Sequence, residues 1–103
     1  MQNRVRDNPD RSRYEVWAGD ELAGFGVYRL RDDRITFVHT EIEPAYEGQG
    51  LGSVLARHAL DATRERGLAV LPVCPFFAGY IRRHPEYADL VPAPRRADYG
   101  LDP

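Results

Sequence analysis

Hydrophobic and polar residues alternate through the first half of the chain with the two-residue period of β-strands. Alternating runs occupy Arg13–Trp17, Leu22–Arg31 and Arg34–Ile42, and they are rich in β-branched and aromatic residues. The turn-forming pairs Gly19-Asp20 and Asp32-Asp33 separate the runs, so we expect an antiparallel meander of three strands. Strict alternation would place one set of side chains of the third strand on the same face: Ile35, Phe37, His39 and Glu41.

The second half of the chain changes to the period of an α-helix. Within Gly50–Arg66, apolar residues recur at three- and four-residue spacing, which predicts an amphipathic helix capped by Gly67. The next run, Leu68–Cys74, is almost continuously apolar and predicts a buried strand. Pro72 lies inside this run and cannot donate a backbone hydrogen bond, which indicates an edge strand or an interrupted ladder. A second helix is predicted over Phe76–His84.

These elements define one folded domain with a polar segment on either side. Residues 1–12 are predicted to form a flexible tail, residues 13–92 the domain, and residues 93–103 a C-terminal tail without periodicity. The order of elements is β-β-β-α-β-α. Because a helix that joins two strands of one sheet makes a crossover, the third and fourth predicted strands should be parallel. We therefore expect an α+β fold whose mostly antiparallel sheet contains one parallel pair.

Composition and charge favour a soluble globular protein. Apolar residues make up 43% of the 103 residues and charged residues 29%. The net charge of −2 disfavours a broad nucleic-acid contact, and no apolar run reaches the roughly 18 residues of a membrane span. The single cysteine, Cys74, excludes an internal disulfide and fits a reducing compartment. We expect a cytoplasmic protein with no nucleic-acid or membrane partner, present as a monomer or a weak homo-oligomer.

A glycine-rich segment, Glu47-Gly48-Gln49-Gly50-Leu51-Gly52, connects the third predicted strand to the first helix. Glycine permits a positive φ and lets a ligand approach the backbone closely. The unpaired N–H groups at the start of the helix and the helix dipole favour an anion. The segment therefore predicts a site for a phosphorylated ligand, although alone it also fits a plain tight turn before a helix.

The ordered set of motifs around this segment resembles the GCN5-related N-acetyltransferases, and more narrowly their minimal single-domain YjdJ-type members. The set comprises His39-Thr40-Glu41-Ile42, the glycine segment, Val73-Cys74-Pro75-Phe76 and residues 80–87. The resemblance implies that fold, acetyl-CoA as co-substrate, an amine acceptor that is a small molecule or a protein, and no metal. It also implies that main-chain groups bind the pyrophosphate and the pantetheine arm: Ile42, Glu43, Gly48, Gln49, Gly50, Leu51, Gly52 and Ser53.

The same resemblance places the reacting acetyl group near Cys74, His39 and Glu41. Two routes stay open. Glu41 or His39 takes a proton from the amine for direct attack, or Cys74 accepts the acetyl group and passes it on. Two positions depart from the family pattern: Glu47 replaces the usual Arg or Gln, and Arg82 stands where larger relatives carry a tyrosine acid. A non-catalytic module or sensor that binds CoA or acyl-CoA is therefore the alternative.

Overall fold

One five-stranded sheet organises the fold, and its strands lie side by side in chain order. The computed structural model describes residues 2–102. The strands are β1 (Asn3–Asn8), β2 (Arg13–Ala18), β3 (Glu21–Arg31), β4 (Arg34–Ile42) and β5 (Ala69–Pro72). Neighbours from β1 to β4 are antiparallel, whereas β4 and β5 are parallel.

Two helices pack on the same face of this sheet. Helix α1 (Leu51–Glu65) connects β4 to β5, and α2 (Pro75–Arg83) follows β5. A Cβ atom on Gly26 would lie 3.4 Å from Phe77 of α2 and 3.6 Å from Leu55 of α1. Both helices therefore cover the face of β3 that carries Gly26. Residues 2–102 also form four short 3-10 helices: Pro9–Arg11, Pro44–Tyr46, Pro85–Leu90 and Ala93–Tyr99.

The hydrophobic core lies between this face of the sheet and the two helices. Phe37 of β4 stacks on Phe77 of α2, with ring centroids 4.1 Å apart. Ile35, Leu55 and Val70 join them with no exposed surface. Close packing of this kind makes the relative position of β4 and the helices sensitive to small changes in volume.

The predicted fold class is confirmed. The α+β arrangement is present, and the parallel pair consists of β4 and β5 on either side of α1. Strand β5 is at the edge of the sheet and ends at Pro72. A proline at this position removes a donor from a strand that lacks a second neighbour.

The prediction of a flexible N-terminal tail over residues 1–12 is wrong for the residues that the structure describes. Asn3–Asn8 forms β1, which pairs with β2 in an unbroken antiparallel register, and a turn of 3-10 helix follows. The polar sequence of β1 reflects its position at the sheet edge, where Val5 alone packs against the core. Met1, also assigned to the tail, lies outside the described residues.

The segment predicted as a C-terminal tail, residues 93–103, is also held against the domain. Ala93–Tyr99 forms a 3-10 helix, and Leu101 is buried in the core. Arg96 donates through Nε to the carbonyl oxygens of Ala88 and Val91. The segment has no helical periodicity because short 3-10 turns and backbone contacts anchor it. Pro103 lies outside the described residues.

Candidate active site

A β-bulge in β4 decides which side chains reach the candidate site. Val27 pairs with His39 but Tyr28 pairs with Phe37, so Val38 has no partner in β3. An extra residue in one strand reverses the phase of side-chain alternation beyond it. The prediction that Ile35, Phe37, His39 and Glu41 share one face is therefore wrong. Thr40, not His39, lies on the helix side with Phe37, because its hydroxyl faces Gly26 and Cys74.

The glycine segment forms a tight connection between β4 and α1. Pro44–Tyr46 makes a turn of 3-10 helix, and Gly48 and Gly50 have φ of +80° and +77°. Side chains destabilise this left-handed conformation, which explains the glycines. Gly50 caps α1 and its carbonyl accepts the first helical hydrogen bond, from Val54. No side chain caps this end of the helix.

The start of α1 therefore presents backbone N–H groups to a small hollow. The N–H groups of Leu51, Gly52 and Ser53 precede the first helical hydrogen bond and have no acceptor within the helix. Together with the dipole they favour an anion. The hollow has a volume of about 210 Å³ and is lined by Ile42, Tyr46, Glu47, Gly48, Gly50, Leu51, Gly52, Ser53 and Phe76.

Most of the predicted cofactor-binding residues meet at this hollow, but two do not line it. Gln49 is exposed at the tip of the turn, and the N–H of Glu43 donates to the carbonyl of Ala23 in β3. Tyr46 and Phe76 line the hollow although the sequence pattern does not assign them to it. Phe76 is linked to the loop by contact, because a Cβ atom on Gly52 would lie 2.7 Å from its ring.

Strands β4 and β5 separate next to this hollow. Their pairing runs from Arg34↔Ala69 to Phe37↔Pro72, and the last link is the Cys74 N–H to the Phe37 carbonyl at 2.8 Å. Strand β4 continues for five residues beyond Phe37. Because Glu43 bonds towards β3, antiparallel alternation directs the main chain of Ile42 towards the side that β5 has left. An extended ligand can pair with β4 there.

Cys74 lies on the helix side of this opening. It is 4% exposed, and its Sγ is 3.3 Å from Oγ1 of Thr40. Its position between β5 and α2 brings the thiol to the place where the two strands diverge. Thr40 is not among the predicted site residues, although it lies between His39 and Glu41 in the sequence.

His39 and Glu41 form a pair on the opposite face of β4. Nε2 of His39 is 2.9 Å from Oε1 of Glu41, and the two side chains are 57% and 58% exposed. A carboxylate in this position orients the imidazole. The predicted catalytic residues are therefore divided: His39 and Glu41 contact each other, whereas Cys74 contacts Thr40.

The residues near the position of the missing tyrosine acid have structural contacts. Arg82 donates to the carbonyl of Tyr99 and packs against Gly100. Tyr80 is buried and stacks on His84 with ring centroids 4.1 Å apart. Burial raises the pKa of Tyr80. The Arg82 contacts fit a role in packing α2 against the C-terminal segment.

The fold and the site together define the class of protein. A parallel pair that separates beside a glycine-rich helix start is the arrangement expected of an acyl-CoA N-acyltransferase fold. A family model described as GCN5-related N-acetyl-transferase matches residues 13–90. The chain belongs to this family.

Individual relatives agree with this assignment. The chain is 35% identical to the uncharacterized N-acetyltransferase YedL of Escherichia coli strain K12, over 93% of this chain and 63% of that protein. It is 41% identical to streptothricin acetyltransferase of Streptomyces lavendulae over 59% of this chain and 33% of that protein. The chain thus spans between a third and two thirds of these curated relatives.

A solved structure shows the same fold. The solution NMR structure of a GCN5-like protein from Staphylococcus aureus superimposes with a TM-score of 0.67 at 21% identity, covering 89% of this chain and 91% of that one. Within residues 2–102, no helix is long and apolar enough to cross a membrane. The same residues contain no cluster of three or more His, Cys, Asp or Glu side chains suited to a metal ion.

Proposed function

We propose that this chain transfers an acetyl group from acetyl-CoA to an amine. The observation that carries the proposal is the hollow at the start of α1, which opens beside the unpaired end of β4. The names of the relatives support acetyl transfer as the reaction class. The acceptor in this proposal is an amine of a small molecule or a protein.

The residues present fit acetyl-CoA by their chemistry. The N–H groups of Leu51, Gly52 and Ser53 suit a pyrophosphate, which needs several donors and little side-chain bulk. The Ile42 main chain is the available partner for the amide groups of the pantetheine arm, because the Glu43 N–H is already used in the sheet. The exposed Glu47 carboxylate repels phosphate, so the backbone supplies this grip. Acetyl-CoA supplies the activated acetyl group.

The direct route uses the pair on the exposed face of β4. The acceptor amine must lose a proton before it attacks, and His39 accepts that proton directly or through a water molecule. As the amide forms, the bond from the acetyl group to the CoA sulfur breaks and CoA leaves as the thiolate. The Glu41 carboxylate holds the imidazole in place through the contact of 2.9 Å between its Oε1 and Nε2 of His39. The pair is open to solvent, so an acceptor can reach it without movement of the core.

The covalent route uses the buried thiol. Sγ of Cys74 would attack the acetyl carbonyl, the bond from the acetyl group to the CoA sulfur would break, and the thiol proton would leave with the CoA thiolate; the amine would then attack the new thioester, and its proton would restore the Cys74 thiol. Its contact with Thr40 holds the sulfur at the opening. Low exposure supports a competing role, in which Cys74 is a wall of the site and packs as a small apolar residue.

A second candidate function is binding of CoA or acyl-CoA without transfer. The specific observation that favours it is Arg82, which stands where larger relatives carry the tyrosine acid and donates to the carbonyl of Tyr99. In that case the opening would hold the ligand, and His39 and Glu41 would be a solvated pair.

The ligand proposal is tested with two glycines that share one backbone conformation. Gly50 and Gly67 both have positive φ, +77° and +68°, and a Cβ atom added to either glycine would meet no other atom within 4 Å. Gly50→Ala and Gly67→Ala should therefore lose similar stability, about 1–2 kcal/mol. Saturating CoA should raise the melting temperature of wild type and Gly67→Ala, but much less that of Gly50→Ala.

ATP is the ligand control, because it also carries phosphates. An equal response to ATP and CoA, or an equal CoA response in both variants, would contradict the proposal. Transfer is then measured with labelled acetyl-CoA and a panel of amines. His39→Ala and Glu41→Gln test the direct route, while Cys74→Ala and mass spectrometry for an acetyl adduct test the covalent one. Acetyl-CoA binding without turnover on any amine would favour the second candidate.

A further inference from the structure

Three arginines gather on the outer face of the sheet, which is the face opposite α1 and α2. Arg31 of β3 is directly opposite Arg34 of β4, and Arg29 is opposite Thr36. Leu71 of β5 pairs with Thr36 and lies on the same face. We call this set of five residues the arginine groove.

The arginine groove is concave. These five residues, together with the exposed Leu30 of β3, line a hollow of about 510 Å³. A second hollow of about 280 Å³ shares Arg34 and Leu71 and is also lined by Asp33, Ala69, Pro92 and Arg95. Leu71 is 8% exposed and forms an apolar floor beneath guanidinium groups that reach solvent.

The charges in the groove are not balanced within the part of the chain that the structure describes. Arg34 has a carboxylate of Asp33 at 3.9 Å, and neither Arg29 nor Arg31 is paired with an acidic side chain there. Like charges directly opposite each other in neighbouring strands are unfavourable. The chain as a whole has a net charge of −2, so this surplus of positive charge is local. An external anion would relieve it.

Carboxylates of an acidic peptide segment fit this groove better than nucleic acid does. Guanidinium groups bind carboxylates through paired, charge-assisted hydrogen bonds, and the apolar floor suits a main chain or a small side chain. Nucleic acid needs a longer basic track than these arginines offer. The groove therefore fits a short acidic segment of a peptide or protein.

The groove lies on the same face of β4 as the His39–Glu41 pair. Four side chains of β4 point outward: Arg34, Thr36, His39 and Glu41. Arg34 and Thr36 alternate with the buried Ile35 and Phe37. Beyond the bulge, His39 pairs with Val27, whose neighbour Gly26 faces the helices. The distance along β4 to His39 is three residues from Thr36 and five from Arg34, or about 10–16 Å. A bound peptide can span this distance in an extended conformation.

We propose that the arginine groove binds an acidic segment of a peptide or protein acceptor, so that an amine about three to five extended residues away reaches the His39–Glu41 pair. The substrate class is thus a lysine or terminal amine with an acidic cluster near it in sequence. This inference rests on the proposed function for its catalytic part, whereas the binding part stands on the groove alone.

Binding is measured by fluorescence anisotropy in the absence of acetyl-CoA. The probe is a labelled peptide with a run of glutamates, a short glycine-serine spacer and one lysine; the control peptide has glutamines in place of the glutamates. The acidic peptide should bind more tightly, and salt should weaken it. Arg29→Gln/Arg31→Gln should weaken binding about five- to tenfold, the loss expected for two exposed charge pairs. Arg4→Gln/Arg11→Gln removes the same charge from exposed positions elsewhere and should leave binding unchanged.

The inference would be overturned if both peptides bound equally well or if both double variants lost the same affinity for the acidic peptide. Tighter binding of a single-stranded RNA of similar length would also overturn it. So would an arginine-dependent dimer of this chain that excludes the peptide, because the groove would then bind a second copy. Kinetics then separate the two proposals. With the acidic peptide as acceptor, Arg29→Gln/Arg31→Gln should raise KM and leave turnover of a small amine unchanged. If the acidic peptide binds but no amine is acetylated, the groove is retained and the proposed function fails.

Discussion

The contact between Gly52 and Phe76 should make the start of α1 intolerant of the smallest side chain. In Gly52→Ala the new Cβ would lie 2.7 Å, 3.2 Å and 3.5 Å from three atoms of the Phe76 ring. The ring is partly buried and contacts Phe77 edge-on, so it cannot move freely. Overpacking of this kind costs about 1–3 kcal/mol. Alanine in a helix returns about 1 kcal/mol relative to glycine, so we expect a net loss of about 0–2 kcal/mol.

The clash can be isolated by a double-mutant cycle with Phe76→Leu. Leucine lacks the outer ring atoms that the Cβ would meet, so Gly52→Ala in the Phe76→Leu background should be neutral or stabilising by up to about 1 kcal/mol. Urea denaturation of the four proteins gives the coupling free energy. In a chain of this size, each 1 kcal/mol corresponds to about 4–8 °C in melting temperature, so thermal unfolding provides a second measurement.

The sign of the coupling decides the outcome. If Gly52→Ala costs the same stability in both backgrounds, the ring contact is not the cause of the loss, and backbone flexibility at the helix start would have to explain it. The cycle also bears on the ligand site, because Gly52 and Phe76 both line the hollow at the start of α1. CoA binding should be weakened by Gly52→Ala and recovered in the double variant.

Two further predictions concern the N-terminal half. Glu15 is 2% exposed and accepts hydrogen bonds from Asn8, Arg13 and Trp17; burial acts to raise its pKa, but these bonds outweigh it and leave the pKa below the usual value of 4.5. The stability that it contributes is therefore present above pH 4.5 and lost as the pH falls through the lower folded pKa. Glu15→Gln should cost about 1–3 kcal/mol at pH 7, and in urea denaturation at a series of pH values the free energy of unfolding should fall less steeply towards acid pH than in wild type. An equally steep fall in both proteins would refute the assignment. Deletion of residues 1–8 should cost at least about 2 kcal/mol, because it removes the Val5 contact and the Asn8–Glu15 bond; a thermal unfolding curve identical to that of the full chain would refute the role of β1.

The sequence predicts those parts of the fold in which burial follows a regular period. Strands β2, β3 and β4 each bury alternate residues on the helix side, and α1 buries Leu51, Leu55 and Ala59 at helical spacing. Strand β1 lacks this signal, since it contributes only Val5 to the hydrophobic core and its other residues are polar, among them Asp7, which accepts a hydrogen bond from Tyr28. Composition alone cannot distinguish such an edge strand from a polar tail.

The candidate site also has some features that the sequence predicts and others that it does not. Positive φ and the need for close approach explain the glycines of the loop, and these features can be inferred from residue type. The bulge at Val38 cannot be inferred from residue type, because it depends on how β3 and β4 align over their whole length. One unpaired residue is enough to exchange the faces of Thr40 and His39, so the predicted trio of Cys74, His39 and Glu41 is split between two sides of the sheet.

The bulge also connects the proposed direct route, which uses His39 and Glu41, with the proposed binding of the acceptor in the arginine groove. Without it, His39 and Glu41 would point into the core beside Phe37, where an unpaired charge is costly. With it, the imidazole–carboxylate pair and the arginine groove share the outer face, and Cys74 lies on the other side of the opening. An acceptor bound in the groove therefore meets His39 before it can meet Cys74. If the groove binds the acceptor, direct attack assisted by His39 and Glu41 becomes the expected route, with Cys74 and Thr40 forming the wall behind the acetyl group.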